Sequence, residues 1–318
     1  MICQESGRTL IQLNSRQAEA LVQRADYVLA THEFSAFLGH VLLHDPTAPE
    51  RGSFAFERWS HLLDLVGHLE RDPLIVLLKT RQIGISWLLA ACAVWRCLQS
   101  GAVVEMISQG EAYAQELLRK CRYVHDHLPG PLRVPLVASN LSKMAYNNGS
   151  TIDALPSTAD AGRGTTATLV IFDEADYHEY LEANLSAVKP AIDAGGQMVV
   201  VSTPNYVSMD SAFKRLYRQA PRNNWVPLYY SYNVRPGRDE VWLKQKYKES
   251  IEPARTQKEY SRTEAEALAP SQALAGFDLE ALEAMRADVA EPIPWYGYDG
   301  DPLGPHTHVW RHWEMGRA

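Results

Sequence analysis

The stretch PLIVLLKTRQIGIS (73–86) joins a continuous apolar run to a short basic loop. An apolar run of this length without polar interruption is typical of a strand that is buried on both faces of a parallel sheet. The mostly apolar segment 86–100 follows directly and is predicted to be a helix that ends before Gly101. A buried strand, a loop and a helix in this order indicate an α/β fold.

Further apolar runs repeat the strand pattern along the chain. They are AVVEMIS (102–108), ATLVIF (167–172) and QMVVVS (197–202). An amphipathic helix is predicted after the first run, through roughly His127, and a helical stretch between the last two. Between these parts, residues 131–157 have short β-like pieces around Asn147-Asn148-Gly149, which is a strong hairpin signal. The alternation predicts a central, mostly parallel sheet flanked by helices.

The two ends of the chain have a different character. Residues 16–45 have apolar side chains at spacings of three and four and are predicted to form a helix. FAFERWSHLLDLVGHLE (54–70) is predicted to be a second amphipathic helix. After residue 225, WVPLYYSYN is strand-like, VWLKQKYKES is helical, and a further helix is predicted around 278–287.

Composition sets broad limits on the class of protein. Of the 318 residues, 46% are apolar, which is enough to bury a sizeable core. The net charge is -7, whereas a protein that coats DNA passively is usually basic, so any contact with nucleic acid must be local, transient or shared among subunits. The basic clusters 119–122, 214–218 and 244–248 are predicted to be solvated helix faces.

Cysteine spacing and apolar run lengths exclude several other classes. The four cysteines, Cys3, Cys92, Cys97 and Cys121, form no C-x-x-C pair, so a disulfide framework or a zinc site is not expected. The polar N-terminus does not resemble a signal peptide. The longest apolar run is too short to span a bilayer, so no membrane partner is expected.

The loop at 79–86 has the chemistry of a phosphate site. Backbone N–H groups of a tight loop and the positive end of the following helix suit a phosphate chain, and Gly84 allows a close approach. Ser86 is placed where a hydroxyl can bind Mg²⁺. The usual P-loop lysine position is taken by Ile85, so Lys79 at the front of the loop, or Arg81, is the candidate cation. A generic strand-to-helix turn is the alternative.

An acidic pair ends the run LVIFDE (169–174). Because a buried strand delivers Asp173 and Glu174 to the carboxyl edge of the sheet, where ligands bind in α/β folds, the pair is a candidate for Mg²⁺ binding and water activation. Two carboxylates buried together are costly unless a cation neutralises them. The alternative is that both side chains cap a helix that begins at Ala175.

The run VVVSTPN (199–205) ends in hydroxyl and amide side chains. Ser202, Thr203 and Asn205 are candidates for contacting the γ-phosphate or the catalytic water and for passing the state of the nucleotide to neighbouring elements. An ordinary transition from strand to turn is the alternative, since these residue types are common in turns.

These elements together resemble the ATPase domain of viral (tailed-phage) terminase large subunits. The segments that carry the resemblance are KTRQIGIS, NNGSTIDALPS, AGRGTTATLVIFDEAD, VVVSTPN and QKEYSRTEAEAL. The resemblance covers roughly residues 54–290, and some terminases also place their P-loop lysine at the front of the loop. It implies a RecA/ASCE-type P-loop NTPase with a small C-terminal subdomain.

The resemblance also implies roles for individual residues. Glu174 would be the catalytic carboxylate, and Ser86 and Asp173 would bind Mg²⁺. The residues expected to bind ATP are Lys79, Thr80, Arg81, Gln82, Gly84, Ile85, Ser86 and Trp87. The residues expected to form the coupling motif are Ser202, Thr203 and Asn205. Arg163 is a candidate for sensing nucleotide or touching a neighbouring subunit, with a surface arginine in a Gly-rich loop as the alternative.

Two departures from the terminase pattern stand out. Terminases often have a glutamine near the adenine pocket, but FAFERWSHLLDL (54–65) contains none; Trp59 could stack on adenine or be a core aromatic. The tail after residue 289 resembles the start of the terminase nuclease domain without its remaining acids, so the chain as given is not expected to cut DNA. That domain is expected to be truncated or encoded elsewhere.

The predicted organisation has four parts. They are an N-terminal helical segment (1–50), a P-loop ATPase core (51–225), a small linker subdomain (226–288) and the start of a missing or truncated nuclease domain (289–318).

The resemblance implies a motor that hydrolyses ATP with Mg²⁺ and packages double-stranded viral DNA into a procapsid. Expected partners are DNA, the portal protein and the terminase small subunit. We expect a ring of identical subunits on the portal, possible monomers in solution, and a location in the host cytoplasm with transient docking on the procapsid. A helicase-like or DNA-repair ATPase and a non-hydrolysing nucleotide-binding scaffold are the alternatives.

Overall fold

A computed structural model of the chain describes residues 2–5, 8–11, 14–45, 47–162, 164, 166–269 and 285. The α-helices are α1 (Ser15–His32), α2 (Phe34–Phe37), α3 (Ser60–Arg71), α4 (Ile85–Arg96), α5 (Glu111–Asp126), α6 (Leu181–Asp193), α7 (Ala212–Gln219), α8 (Glu240–Glu249), α9 (Pro253–Glu259) and α10 (Glu264–Leu268). The strands are β1 (Ile2–Glu5), β2 (Arg8–Ile11), β3 (Leu42–His44), β4 (Ser53–Ala55), β5 (Leu74–Lys79), β6 (Val103–Ser108), β7 (Leu136–Ser139), β8 (Lys143–Tyr146), β9 (Thr151–Pro156), β10 (Leu169–Asp173), β11 (Gln197–Ser202) and β12 (Val226–Tyr230).

The central sheet has eight strands in the order β12-β5-β11-β10-β6-β9-β8-β7. The pairs from β12 through β9 are parallel, and only β8 and β7 run antiparallel to their neighbours. The turn at Asn147-Asn148-Gly149 joins β8 to β9, as the hairpin signal predicted. The predicted α/β class with a mostly parallel sheet is therefore confirmed.

The central strands are uninterrupted in apolar residues because helices cover both faces of the sheet. Every residue of β5 is buried, and so is every residue of β11. Along β5, Ile75 and Leu77 enter the core that packs under α3, α4 and α5, whereas Val76 and Leu78 enter the core under α6 and α7. Alternation of side chains along a strand explains this division.

The N-terminal helix is shorter than the predicted 16–45. Helix α1 ends at His32, and Glu33 has an extended backbone with φ -116°. A new helix starts at Phe34, whose N–H donates to Glu70 Oε1 on α3 at 2.9 Å. Phe34 and Phe37 are both buried, so the apolar spacing continues through them. The helix is nevertheless interrupted, because the hydrogen bond from Phe34 N–H to Glu70 caps the start of a new helix.

The stretch from 40 to 59 is also less helical than the apolar pattern predicted. Strands β3 and β4 form a two-stranded antiparallel sheet, and the helix predicted at 54–70 begins only at Ser60. This small sheet contributes to one wall of the site described below.

The chain after residue 225 first adds one strand to the main sheet. Strand β12 pairs in parallel with β5, and residues 1–269 belong to one compact unit. The helix predicted around 278–287 lies outside the described residues except at Met285, and the predicted nuclease start (289–318) lies entirely outside them. The division of the chain into four parts stays a prediction.

Among the described residues, no helix combines the length and the apolar character that crossing a bilayer requires.

Candidate nucleotide site

The loop at 80–84 follows the last residue of β5 and leads straight into α4. Gly84 has φ +85°, and a Cβ atom there would lie 3.2 Å from Leu62 Cδ1, so a side chain would be strained and crowded. The first helical hydrogen bond is donated by Leu88 to the Gly84 carbonyl at 3.2 Å. The N–H groups of residues 84–87 therefore have no partner within the helix and form its positive end.

The carbonyl groups of this loop are held by side chains from elsewhere in the chain. Arg238 Nη1 donates to the Arg81 carbonyl at 2.6 Å, and Arg235 Nη1 donates to the Gln82 carbonyl at 2.7 Å. His61 Nε2 lies 2.7 Å from the Ile83 carbonyl. All three contacts use carbonyl groups, so they fix the loop without using its N–H groups. The N–H groups of Thr80 and Arg81 themselves donate to the Tyr230 and Glu259 carbonyls at 3.0 and 2.9 Å, which ties the start of the loop down further.

The pKa values of the holding residues are shifted by burial. Burial lowers the pKa of His61, so the imidazole is neutral at neutral pH and donates its Nε2 proton to the Ile83 carbonyl. Burial, followed by the nearby charge of Arg235, lowers the pKa of Arg238 to about 10. Arg238 nevertheless stays charged at neutral pH, because that value is well above 7.

Lys79 brings the phosphate loop and the acidic pair together. The two strands that carry them, β5 and β10, are separated in the sheet by β11 and end at the same edge. Lys79 is 5% exposed, and its Nζ lies 2.7 Å from Glu174 Oε1. The loop and the carboxylates therefore face one site.

Glu174 has an unusual backbone conformation, and its carboxylate is held by Lys79 and Thr203. Its φ is +53°, in the left-handed region, which a residue other than glycine seldom adopts. Oε2 accepts hydrogen bonds from Thr203 N at 3.0 Å and Thr203 Oγ1 at 2.8 Å. Burial alone would raise the pKa of Glu174, but Lys79 and Thr203 outweigh it and hold the pKa below its usual value. Glu174 is thus a carboxylate at neutral pH.

Asp173 has an orphaned polar atom. Within the described residues, its Oδ1 is buried without a hydrogen-bond partner. Burial, and then the charge of Glu174, raises the pKa of Asp173 to about 6. A buried carboxylate oxygen without a partner is costly, and a divalent cation would satisfy it.

The residues present fit a Mg²⁺ ion that is shared with phosphates. Mg²⁺ in such sites keeps several waters and takes only one or two carboxylates from the protein. The described residues contain no cluster of three or more His, Cys, Asp or Glu side chains that could hold a metal ion. The orphaned Asp173 oxygen and the Ser86 hydroxyl in the first turn of α4 would be the protein ligands for such an ion.

The predicted coupling motif is tied to a residue that sequence reasoning missed, Asp176. The Asp176 N–H donates to Ser202 Oγ at 2.9 Å, and Asn205 N donates to Asp176 Oδ2 at 2.6 Å. Ser211 Oγ also donates to the Asp176 carboxylate. The segment that carries Glu174 and the end of β11 are therefore joined by two carboxylates, Glu174 to Thr203 and Asp176 to Asn205.

The prediction that Lys214 belongs to a solvated basic face is wrong. Its side chain is 1% exposed, its Nζ lies 3.8 Å from Asp176 Oδ2, and it donates to the Asn205 carbonyl at 2.7 Å. Helical spacing alone placed Lys214 with Arg215 and Arg218, but the carboxylate of Asp176 draws it inward. Burial raises the pKa of Asp176 and lowers that of Lys214, because each charge is only partly compensated by the other.

We expect Lys214→Met to lower the free energy of unfolding by about 3–5 kcal/mol, the usual cost of removing one member of a buried ion pair. The matched control is Lys189→Met, since Lys189 forms an exposed i,i+4 pair with Asp193 and should change stability by less than about 0.5 kcal/mol. Denaturant unfolding of both variants measures the difference. Equal stability of the two variants would show that Asp176 does not need its buried partner.

The remaining predicted site residues have the following positions. Thr80 is fully buried, and its Oγ1 has no partner among the described residues. Arg81 is exposed and paired with Glu259 at 2.7 Å. Ile85 enters the core, so only its backbone can meet phosphate, and Trp87 packs edge-on against Tyr123. Arg163 lies outside the described residues.

Two cavities meet at the site. One of about 460 Å³ surrounds the loop and includes Lys79, Gly84, Ser86 and Trp87 in its lining. The other, of about 440 Å³, is lined by Asp173, Glu174, Thr203 and Arg81 among others. Lys120 lines both.

The residues that hold the loop gave no sequence signal. Arg235 and Arg238 lie more than 150 residues after the loop in the chain, and no spacing rule links them to it. Asp176 was visible within the run DEAD but had no predicted role.

This fold and site define a P-loop NTPase of the RecA-like class, with a phosphate loop after one strand and an acidic pair after another. The profile of the family described as terminase large subunit, T4likevirus-type, N-terminal, matches residues 76–281, which is more than half of the chain. The chain therefore belongs to this family of terminase large subunits.

Solved structures of phage large terminases have the same fold. A mutant of the Thermus phage P74-26 large terminase ATPase domain superposes with a TM-score of 0.52 at 16% identity, covering 68% of this chain and 97% of that one. The bacteriophage HK97 large terminase superposes with a TM-score of 0.51 at 13% identity, covering 80% and 52%. The large terminase of a thermophilic bacteriophage gives 0.51 at 9% identity, covering 64% and 52%. The alignment thus spans about half the length of the last two chains.

Proposed function

We propose that this chain is the Mg²⁺-dependent, ATP-hydrolysing motor part of a terminase large subunit, which translocates double-stranded DNA into a procapsid. The observation that carries the proposal is the contact between Lys79 Nζ and Glu174 Oε1 at 2.7 Å beside the orphaned oxygen of Asp173. It brings the residues proposed as phosphate-binding cation, base and metal ligand to one sheet edge, next to the N–H groups at the start of α4 that have no partner within the helix.

Each residue has a distinct part in the proposed reaction. The N–H groups of residues 84–87 and the Lys79 ammonium bind the phosphate oxygens. Asp173 and Ser86 would hold Mg²⁺, which would neutralise charge on the phosphates. Glu174 orients a water and accepts its proton as the water oxygen bonds to the γ-phosphorus, while the bond from the γ-phosphorus to the bridging oxygen breaks and ADP leaves.

The surroundings of Glu174 support its role as the base. Its lowered pKa keeps it ionised, and Thr203 fixes one of its oxygens. The other oxygen is paired with the Lys79 ammonium. When nucleotide is bound, this ammonium would therefore contact both Glu174 and the phosphates. Thr203 and Asn205 then link the state of Glu174 to the segment around Asp176. Arg163 stays a proposed sensor of nucleotide or of a neighbouring subunit.

Membership of the family suggests a biological setting for the proposed motor. We place the motor on the portal of a procapsid in the host cytoplasm, as a ring of identical subunits that also meets the terminase small subunit. A ring suits an acidic chain, because several subunits can share weak contacts to the DNA phosphates. On the helix that carries the third basic cluster, Lys244 and Lys248 are exposed.

The test is the rate of ATP hydrolysis by the full chain, with and without Mg²⁺ and double-stranded DNA. We expect hydrolysis that requires Mg²⁺ and rises when DNA is added. In Asp173→Asn, half-saturation by Mg²⁺ should need about 10–100 times more metal, because the orphaned oxygen loses its charge. The matched control is Asp153→Asn, whose carboxylate pairs with Lys143 outside both cavities.

The non-hydrolysing scaffold predicts the opposite result. It would bind ATP tightly without turnover, even with DNA present. The presence of Glu174 with a lowered pKa favours the motor. If the parent chain binds ATP but never hydrolyses it, and Asp173→Asn changes nothing, the proposed role of the acidic pair is wrong.

A further inference from the structure

One basic side chain lies where the two cavities of the site meet. Lys120, in the third turn of α5, is the only described residue that lines both the cavity around the phosphate loop and the cavity around Asp173 and Glu174. Its side chain is only 19% exposed, whereas that of the neighbouring Arg119 is 62% exposed. Lys120 therefore turns away from the basic face of α5 and toward the site.

Lys120 also lies beside the start of the helix that follows the phosphate loop. Its Nζ is 5.9 Å from the centre of the ring of Trp87, which is in the first turn of α4. The charge of Lys120 reaches the acidic pair as well. Burial and then the charge of Glu174 raise the pKa of Asp173, whereas Lys79 and, after it, Lys120 lower that pKa. The site thus receives positive charge from two elements, β5 and α5.

The proposed reaction places the terminal phosphate where the two cavities meet. The N–H groups of residues 84–87 hold the phosphate chain from the loop cavity, and the water that Glu174 orients attacks from the acidic cavity. The γ-phosphate is the group that belongs to both. A cation at this place would therefore contact the phosphate that is transferred, rather than the two phosphates that remain on ADP.

The present partner of Lys120 is one that it can give up at little cost. Its Nζ lies 2.8 Å from Glu116 Oε1, one turn earlier on α5, and Glu116 is 51% exposed. Exposed i,i+4 ion pairs contribute little to stability. Arg119 is paired with the other oxygen of the same carboxylate, so Glu116 keeps a partner when Lys120 leaves. A triphosphate carries several negative charges and attracts the ammonium more strongly than one exposed carboxylate does.

We propose that Lys120 is a second catalytic cation of this site, whose ammonium leaves Glu116 for the γ-phosphate when a nucleoside triphosphate is bound. This proposal rests on the proposed function, because it assigns a further residue to the same reaction. In the transition state of phosphoryl transfer, charge is spread over the oxygens of the transferred phosphate, so an ammonium beside them lowers the barrier. Glu116 is a positioning residue, since it holds the ammonium near the site in the absence of nucleotide.

The experiment measures the binding of a non-hydrolysable ATP analogue and of ADP to the full chain, both with Mg²⁺ and without DNA, together with kcat for ATP. The variants are Lys120→Met, which removes the charge and keeps the stem of the side chain, and Glu116→Gln, which removes the competing partner. Arg119→Met is the matched control, because Arg119 shares Glu116 with Lys120 but lines neither cavity.

We expect Lys120→Met to weaken binding of the analogue by about tenfold or more, the scale of a lost hydrogen bond to a charged group, and binding of ADP by less than about twofold. It should also lower kcat by about 10²-fold, because charge stabilisation in the transition state is lost. Glu116→Gln should act in the opposite direction and tighten binding of the analogue by about twofold, since Lys120 then has no ion pair to give up. Arg119→Met should behave like the parent.

The opposite signs separate a role at the γ-phosphate from a purely structural one. If Lys120 only stabilised α5, Lys120→Met and Glu116→Gln would break the same ion pair and change binding in the same direction, and the proposal would be wrong. Equal weakening of the analogue and ADP in Lys120→Met would also overturn it. Should Lys120→Met have a much lower melting temperature than the parent, the direction of the change in Glu116→Gln decides.

The same measurements distinguish this proposal from the proposed function. If the parent chain binds neither nucleotide, the proposed function fails and the role of Lys120 with it. If the parent binds and hydrolyses ATP, but Lys120→Met behaves like Arg119→Met, the role of Lys120 is wrong while the phosphate site at Lys79 stands.

Discussion

Replacing Glu174 with glutamine should lower kcat for ATP by about 10²–10⁴-fold, the usual contribution of a general base. Glutamine keeps the size of the side chain and can still accept from Thr203, but it cannot take a proton from water. The KM for ATP should change little, because the phosphates are bound by the loop and by Lys79. Steady-state hydrolysis and nucleotide binding, measured on the same preparation, separate the two effects.

The matched control for this variant is Glu182→Gln. Glu182 is 79% exposed and pairs with Arg215 at 3.0 Å, so neutralising it should leave hydrolysis within about twofold of the parent. If Glu174→Gln hydrolyses ATP at the rate of the parent, Glu174 is not the base. Asp173, the adjacent carboxylate on the same cavity, would then be the residue to replace.

Replacing Lys79 with alanine should lower kcat/KM by about 10²–10³-fold, the range seen when a preorganised charge is removed from a transition state. Two losses combine in this variant. The phosphates lose a cation that is almost fully buried, and Glu174 loses the partner that holds its pKa down. Since burial would then raise the pKa of Glu174, a smaller share of the base would be ionised at neutral pH.

A pH profile of kcat distinguishes these two losses. In Lys79→Ala, the acid limb of the profile should move to higher pH than in the parent, because the carboxylate titrates later. Lys143→Ala is the matched control, since Lys143 forms a partly exposed pair with Asp153 at 2.8 Å and lines neither cavity. A profile that does not move would mean that Lys79 does not control Glu174.

The same variant also tests the unusual position of the lysine. Ile85 occupies the usual place of the P-loop lysine, and Arg81 is the other nearby cation. Arg81 is 49% exposed and paired with Glu259 at 2.7 Å, whereas Lys79 is buried and paired with Glu174, the proposed base. If Lys79→Ala hydrolyses ATP normally while Arg81→Ala does not, the phosphate-binding cation is Arg81.

The central strands could be predicted closely from local pattern. Strand β11 spans the predicted residues 197–202, and β5 is shifted by one residue from the predicted 73–78. Burial on both faces leaves no polar residue in the middle of these strands, and such a run is visible in any short window of sequence. The meeting of the phosphate loop with Asp173 and Glu174 followed as well, because parallel strands end at one sheet edge.

The break at Glu33 could not be predicted in the same way. The apolar spacing of α1 continues into Phe34 and Phe37, and nothing local ends it. The new helix starts there because Glu70, 36 residues away in the chain, accepts a hydrogen bond from the Phe34 N–H. A cap that comes from another element leaves no periodic mark on the sequence.

The sequence by itself determined the class of fold and showed which strands end in polar residues. It also identified the two carboxylates and the lysine of the site. All of these are visible from neighbouring residues in the chain. Only the tertiary structure decided how those groups are held. Arg235 and Arg238 donate hydrogen bonds to the loop carbonyls, and Lys214 is buried against Asp176. These contacts depend on which distant segments the fold brings within hydrogen-bond range. Hydrogen bonds and burial act over a few ångströms in space, whatever the separation along the chain.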